Sequence, residues 1–336
     1  MKIGGFDTAE KVLVIAEIGN NHEGSFARAE EMIGRAVEAG ADVVKFQSFV
    51  PERWVTADQT ARIEMLSRFK FSQAQFESLA ETTRKAGAMF MSTPFDLDTA
   101  AWLAPLVPAF KIASADNDWT ALLRQVASTG KPIILSTGMT SLSDVARSRD
   151  VIRGEWQRLG LTGAGLVLLH CVVSYPTPAE SANLLAIKAL AGLGETVGYS
   201  DHTIGVDAAV AAVAMGARVV EKHFTLDKNQ SDFRDHKLSA DPQDLAEMIR
   251  RIRVVEGLLG SGEKAVLPIE EPIFNAVRRG AYAARDLPEG TVLSPADIVY
   301  LRPRVGFTPA DIDQRMGKAL TRTVAAGSPL TEESFT

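Results

Sequence analysis

Eight short apolar runs, each ending in polar or titratable side chains, constrain the fold of this chain more than any other feature. They lie at 12–18, 43–46, 89–92, 110–113, 133–136, 165–170, 196–200 and 219–224. Apolar, β-branched runs of this length read as strands buried on both faces, the pattern of a parallel sheet. The intervals between them suit helical crossovers. Phe26, Ala29, Met32, Ile33, Ala36 and Val37 form one stripe, with Arg28, Glu31, Arg35 and Glu38 off it and Gly40 as the stop. Ser72 with Gln75 predicts a capping box, and Phe71 with Phe76 its hydrophobic staple. The Ala/Val/Met-rich stretch 204–217 predicts a packed helix closed near Gly216. Asp241-Pro242 predicts the cap and first turn of a last helix reaching about Leu259. Eight such units predict a (β/α)8 TIM barrel spanning residues 1–262.

In this architecture the active groups sit where strands end and the following loops begin. Those positions hold Glu17 with Asn20, Asn21 and His22; Lys45 and Gln47; Ser92 and Thr93; Lys111 and Ser114; Ser136 and Thr137; His170, Ser174 and Tyr175; Ser200, Asp201 and His202; and Glu221, Lys222 and His223. Every end is polar, which turns alone do not require. Lys45 and Lys111 are flanked by apolar residues, and buried lysines need negative partners. With the hydroxyls of Ser92, Thr93, Ser114 and Ser136 they suit a phosphate or carboxylate; alternatively each lysine pairs with a carboxylate such as Glu17. His202 and His223 leave the ends of consecutive strands and read either as a divalent-metal pair or as two hydrogen-bonded rim histidines, since two imidazoles alone are a weak metal signal. Glu17 and Glu221 read as general bases or as ion-pair partners of the lysines. Cys171, inside LVLLHCVV, reads as core.

Charge and composition exclude other classes. The formal net charge is -6 and no long basic run occurs, which argues against nucleic acid as the partner. No apolar run approaches the roughly 18 residues of a membrane span. A single cysteine and an N-terminus, MKIGGFDTAEK, without an apolar signal region lead us to expect a cytoplasmic protein. After about Gly262 the helical periodicity stops, and residues 263–278 read as an extended linker. Residues 279–336 read as a small unit of short strands and turns, near the lower size limit for folding alone.

The motifs together carry a resemblance over nearly the whole chain. IAEIGNNHEG at 15–24, KFQ at 45–47, STPFD at 92–96, KIAS at 111–114, ILSTGM at 134–139, HCVVSYPTP at 170–178, GYSDHTIG at 198–205 and EKHFTLDK at 221–228 resemble the N-acetylneuraminate (sialic acid) synthase family. The C-terminal unit, with LRPRVGFTP at 301–309, resembles the antifreeze-like or SAF domain, a β-clip-like fold, that ends those enzymes.

The resemblance implies condensation of phosphoenolpyruvate with an N-acetylated hexosamine such as N-acetylmannosamine, giving a nonulosonic acid and phosphate. Under it His202 and His223 match the pair that holds Mn2+, with Mg2+ or Co2+ as alternatives. Lys45, Thr93, Lys111, Ser114, Ser136 and Ser200 match the phosphoenolpyruvate pocket, and Glu17 and Glu221 the catalytic carboxylates. Gln47, Tyr175 and Asp235 match sugar contacts. Arg302 matches an SAF arginine that reaches the sugar from the second subunit of a domain-swapped homodimer.

Three departures from the family pattern surround the substrates. Val173 stands where the family commonly has a polar residue, and Ser174 is the neighbour that could replace it. Residues 230–235 replace a Pro/Gly-rich approach to Asp235, and Arg304-Val305 stand where Gly-Asn is usual, so that Arg234 and Arg304 add positive charge. These departures leave open the same chemistry on another acceptor, of legionaminate or pseudaminate type. The competing classes are a non-catalytic sugar-binding paralogue and a metal-dependent pyruvate aldolase.

Overall fold

Residues 1–233 and 235–336 are described by the computed structural model, in which the chain forms two compact units, Met1–Gly260 and Ser261–Thr336. The first opens with a small antiparallel hairpin, Lys2–Ile3 (β1) with Phe6–Asp7 (β2). Then come Leu13–Gly19 (β3), Val43–Ser48 (β4), Met89–Pro94 (β5), Phe110–Ile112 (β6), Ile133–Ser136 (β7), Leu166–His170 (β8), Thr196–Asp201 (β9) and Val219–His223 (β10). These eight form one parallel sheet in the order β5-β4-β3-β10-β9-β8-β7-β6. Its two ends, β5 and β6, lie side by side without a ladder, so the sheet curls into a nearly closed barrel. All eight predicted strands are present, their ends displaced by two residues at most.

Side-chain alternation divides every strand between two cores. Leu13, Ile15, Val43, Met91, Ala109, Ile134, Val167, Leu169 and Val219 point inward and pack together, with Ile3 of the hairpin plugging the N-terminal end. The other parity, including Val14, Val44, Phe46, Phe90, Phe110, Leu135, Leu168, Tyr199 and Val220, packs against the surrounding helices. Each fully buried aliphatic side chain contributes about 1.5–3 kcal/mol by leaving water.

Local chemistry sets the helices. Ser25 caps Phe26–Glu38, whose buried stripe is Ala29, Met32, Ile33 and Ala36. Ser72 and Gln75 form the predicted capping box of Gln73–Ala86, and Phe71 meets Phe76 edge-on at 5.9 Å between ring centres. The 204–217 prediction narrows to Asp207–Ala214, and Asp241 caps Pro242–Leu259 as expected.

The C-terminal unit is built on Gly280–Ala283 (β11) paired antiparallel with Ile298–Leu301 (β12). Ala281, Ala283, Leu287, Leu293, Ile312, Leu320, Val324 and Leu330 form its core. The stretch expected to be extended is partly helical: Pro268–Glu270 is a 3-10 turn running into the helix Glu271–Val277. Pro268 and Pro272 fall at first-turn positions, where their fixed φ favours a helix start, and the Glu270 carboxylate accepts from Leu267 N at 2.8 Å.

Candidate active site

The inward parity of the barrel is apolar in its lower layers and polar in its last. One step beyond Leu13 and Ile15 stands Glu17; beyond Val43, Lys45 and Gln47; beyond Met91, Thr93; beyond Ala109, Lys111; beyond Ile134, Ser136; and beyond Val219, Glu221 and His223. Adjacent strands in register set these side by side, with Glu17 level with Lys45 on one side and with His223 on the other, and Glu221 level with Ser200. A bulge after Glu17 shifts the register between β3 and β4, so that Gly19 pairs with Phe46. Gly19 follows it at φ 55°, and a Cβ there would lie 3.2 Å from Glu17 Oε1 and 3.3 Å from Gln47 Nε2, so glycine gives both side chains their space.

All thirteen barrel residues singled out from the sequence as catalytic, substrate-binding or metal-holding line one cavity of about 840 Å³: Glu17, Lys45, Gln47, Thr93, Lys111, Ser114, Ser136, Tyr175, Ser200, His202, Glu221, His223 and Asp235. Arg302 lies exposed in the C-terminal unit, just after β12. Arg234, one of the added charges noted above, falls outside the described residues.

The cavity holds a chain of buried charges. Lys45 Nζ lies 2.6 Å from Glu17 Oε2 and 3.5 Å from Glu221 Oε2, and it donates to Thr93 Oγ1 at 3.1 Å. Lys111 Nζ lies 3.2 Å from Glu221 Oε1, which also accepts from Ser200 Oγ at 2.8 Å. Gln47 Nε2 donates to Glu17 Oε1 at 3.0 Å, and Asn20 Nδ2 donates to Gln47 Oε1 at 3.0 Å. Both lysines therefore have carboxylate partners.

The environment pulls the two glutamates apart. Burial pushes Glu17 up to about 7, opposed by Lys45 and reinforced by Glu221. Burial also acts upward on Glu221, but Lys111 and Lys45 together overcome it and hold that carboxyl well below the usual range. Lys111 is lowered by burial, whereas Lys45 is raised because Glu17 and Glu221 outweigh the same penalty.

The imidazoles of His202 and His223 lie 5.5 Å apart between ring centres, and Tyr175 stacks 4.3 Å from His202. Burial lowers the pKa of both, so both are neutral near pH 7 and keep a lone pair. His202 Nδ1–H donates to Val172 O at 2.7 Å, which leaves Nε2 as the unprotonated nitrogen. His223 Nδ1 is buried and has no hydrogen-bond partner among the described residues. That open nitrogen is the feature expected of a ligand position. Among the described residues no cluster of three or more His, Cys, Asp or Glu could hold a metal, so water and substrate would complete the coordination around these two.

Several strand-end groups face away from the site. Lys222 Nζ bonds Asp201 Oδ2 at 2.8 Å and Thr203 O at 2.6 Å; Ser92 pairs with Ser48 at 2.6 Å; and His170 Nε2 bonds Ala182 O at 2.8 Å. All have the outward parity. Ser174 does not replace the polar residue missing at Val173: its Oγ donates to Pro176 O at 3.0 Å, while Val173 itself lines the cavity.

The sequence reading missed an apolar wall formed by Trp54, Met65, Leu66, Phe69, Phe95 and Phe233. Most of it comes from Pro51–Trp54 and Thr60–Phe69, helices inserted after β4. The signal was the long interval between 46 and 89, with Met65, Leu66 and Phe69 at helical spacing, since extra helices after a barrel strand lie over its C-terminal rim.

Comparison with known proteins identifies the family. The NeuB family profile matches residues 32–264 and the SAF domain profile residues 278–336. The N,N'-diacetyllegionaminic acid synthase of Campylobacter jejuni is 35% identical over 93% of this chain and 97% of its own. The human N-acetylneuraminate-9-phosphate synthase is 33% identical over 95% and 91%. The crystal structure of an N-acetylneuraminic acid synthetase from Leptospira borgpetersenii, in complex with citrate, superposes with a TM-score of 0.76 at 31% identity, covering 82% of this chain and 94% of that one. With a family profile over most of its length and relatives of this identity along nearly all of it, the chain belongs to the NeuB family of N-acetylneuraminate synthases and ends in a SAF domain.

Proposed function

We propose that this protein is a transferase that condenses phosphoenolpyruvate with an N-acetylated hexosamine, N-acetylmannosamine or a relative, to give a nonulosonic acid and inorganic phosphate. The observation that carries the reading is the buried chain Glu17–Lys45–Glu221–Lys111 sharing one cavity with two neutral imidazoles. A structural barrel gains little from burying four charges together, because their desolvation cancels much of the attraction. A site that must bind an anion and move protons needs them.

Lys45 and Lys111, with the hydroxyls of Thr93, Ser114, Ser136 and Ser200, supply the cations and donors that the phosphate and carboxylate of phosphoenolpyruvate require. Gln47, Tyr175 and Asp235 line the same cavity, which supports their assignment to the sugar. His202 and His223 would hold a divalent ion, Mn2+ by preference with Mg2+ or Co2+ as alternatives, which supplies Lewis-acid polarisation of the sugar aldehyde when bound. Carbon 3 of the enol forms the new bond to the aldehyde carbon, whose oxygen takes up a proton, and positive character develops at carbon 2. Glu221, held ionised by Lys111 and Lys45, stabilises that charge. Glu17 populates both protonation states near neutrality and suits the accepting of a proton from the water that adds at carbon 2. The bond from carbon 2 to the phosphate oxygen then breaks, leaving the ketone and free phosphate.

In this reading the enzyme is a cytoplasmic homodimer in which the C-terminal unit of one subunit brings Arg302 to the sugar site of the other. No helix among the described residues is long and apolar enough to cross a membrane. The apolar wall from Trp54 to Phe69 favours an acceptor with acyl or deoxy substituents, as in the legionaminate-type alternative. The test is phosphate release from phosphoenolpyruvate with Mn2+ across N-acetylmannosamine, its 6-deoxy and diacetamido relatives, mannose and charged hexoses, with and without chelator. Chelator-sensitive release with one sugar fixes reaction and acceptor. No release with any sugar while phosphoenolpyruvate still binds would mean an acceptor outside the panel, and loss of that binding as well would favour a non-catalytic barrel.

A further inference from the structure

The loop that brings Phe233 and Asp235 to the cavity leaves the end of β10 and returns at Ala240. Its base is pinned by backbone bonds, Ala240 N to His223 O at 2.8 Å and Thr225 N to Ala240 O at 3.0 Å. Its tip is not stiffened in the same way. Residues 224–240 contain no proline, and ordering a segment of ordinary residues loses conformational entropy that other contacts must offset.

Those contacts go to the loop after β3. Asn21 Nδ2 donates to Phe224 O at 2.8 Å and to Ser239 Oγ at 3.0 Å, and Ser239 Oγ donates to Asp235 O at 2.6 Å. Gln230 Nε2 donates to Asn21 O at 3.4 Å, and the Ser231 hydroxyl donates to Glu23 Oε1. His236 stands behind this tip, fully buried and outside the lining of the cavity. Its Nε2–H donates to the same Glu23 Oε1 at 3.2 Å, and its Nδ1 lies 2.8 Å from the Thr225 hydroxyl. The imidazole therefore spans from the start of its own loop to the loop after β3. Its ring also meets Phe233 edge-on at 6.0 Å between ring centres, and Phe233 in turn meets Phe69 of the apolar wall edge-on at 5.4 Å.

Neither Glu23 nor His236 belongs to a barrel strand or to either hydrophobic core of the barrel. What their bridge holds is the loop tip, with one cavity-lining residue resting on the imidazole and another next to it in the chain. Groups that meet a substrate are effective only when their supports fix them closely, since a displacement of about 1 Å can cost on the order of a hundredfold in rate. We propose that Glu23 and His236 are positioning residues for the acceptor sugar, holding Phe233 and Asp235 where the sugar meets them. The inference rests on the assignment of the sugar to this cavity and adds two residues that themselves touch no substrate.

Hydrogen–deuterium exchange of the full chain and steady-state phosphate release with the sugar that supports turnover test it together. Glu23→Ala is expected to speed exchange of residues 225–239 while leaving the barrel strands unchanged. It is also expected to raise KM for the sugar roughly tenfold, the loss of one hydrogen bond to a charged group, with KM for phosphoenolpyruvate unchanged. His236→Asn, which cannot reach Glu23, is expected to show the same pattern. Glu23→Gln keeps an acceptor oxygen for Ser231 and His236 and is expected to recover most of the loss. Arg28→Gln removes the 3.2 Å ion pair to the other Glu23 oxygen but leaves the bridge, and it is expected to change neither readout. Unchanged exchange in Glu23→Ala would overturn the proposal. So would faster exchange with an unaltered KM for the sugar, which would make the bridge purely structural, or an equal rise in both KM values. If the unaltered chain releases no phosphate with any sugar, the condensation reading fails, and calorimetric binding of the same sugars takes the place of KM. Weaker binding in Glu23→Ala than in the unaltered chain then upholds the positioning role, and equal binding, or none to either, overturns it.

Discussion

Replacing Lys45 by methionine keeps a side chain of similar shape but removes the cation on which the buried charge chain turns. Lys45 and Glu17 are each only 2% exposed and 2.6 Å apart. At an effective dielectric constant of about 20, Coulomb's law gives about 6 kcal/mol of gross attraction at that distance. Part is returned because the lysine itself no longer has to leave water, and the usual cost of removing one member of a buried pair is about 3–5 kcal/mol. Above about pH 7, where Glu17 is ionised in the unaltered protein, Lys45→Met is therefore expected to lower barrel stability by up to that amount, a large share of the roughly 5–15 kcal/mol typical of a domain. The four tryptophans, Trp54, Trp102, Trp119 and Trp156, all lie in the barrel unit, so tryptophan fluorescence during urea unfolding reports that unit selectively. The decisive arm is Lys45→Met/Glu17→Gln. If the single-variant loss comes from an unpaired buried carboxylate, neutralising Glu17 restores part of it, and the double variant is more stable than the two losses added. Strict additivity, or a loss in Lys45→Met below about 1 kcal/mol, would refute the buried network as the source of the cost.

Three further outcomes follow from the same structure. His223→Ala is expected to abolish Mn2+-dependent phosphate release and calorimetric Mn2+ binding while leaving the unfolding midpoint close to that of the unaltered protein; full activity in the variant would remove His223 from the metal site. Arg302→Ala is expected to raise KM for the sugar more than KM for phosphoenolpyruvate in steady-state kinetics, and equal effects would contradict a sugar contact. Burial, with Asp118 nearby, pushes Asp116 up to about 6, and its buried Oδ2 has no hydrogen-bond partner among the described residues. A carboxyl whose pKa is raised on folding favours the folded state below its ordinary range and loses that advantage as pH rises through about 6. Asp116→Asn should therefore raise Tm above pH 7 and have little effect near pH 4, and an effect independent of pH would show that the charge is not the cause.

Strand positions, helix caps and the polar character of every strand end follow from short-range rules, and they were legible in the chain as written. Ser72 with Gln75, Asp241-Pro242 and the stripe from Phe26 to Val37 each formed as local chemistry demands. The motifs at the strand ends brought all thirteen barrel residues to one cavity because a parallel barrel places the C-terminal ends of its strands on one rim. Residues 263–278 show where short-range signals conflict: charge and glycine suggested an extended connection, while two first-turn prolines and Glu270 closed a 3-10 turn and a short helix.

Tertiary structure alone decided which of the strand-end groups meet one another. In an amphipathic strand the alternation of polar and apolar side chains tells the two faces apart, but these strands are buried on both sides, so Lys222 and Glu221 look alike in sequence although one turns outward to Asp201 and the other inward to Lys45 and Lys111. The parity is set by ladder register and by the bulge after Glu17, which depend on partners far along the chain. The same holds for the protonation states: Glu17 and Glu221 share a side-chain chemistry, and they differ because burial dominates one while two lysines from β4 and β6 surround the other. Sequence determined which reactive groups the barrel would gather on its rim; folding decided how they pair, because ion pairing and desolvation depend on distances in space that separation along the chain does not specify.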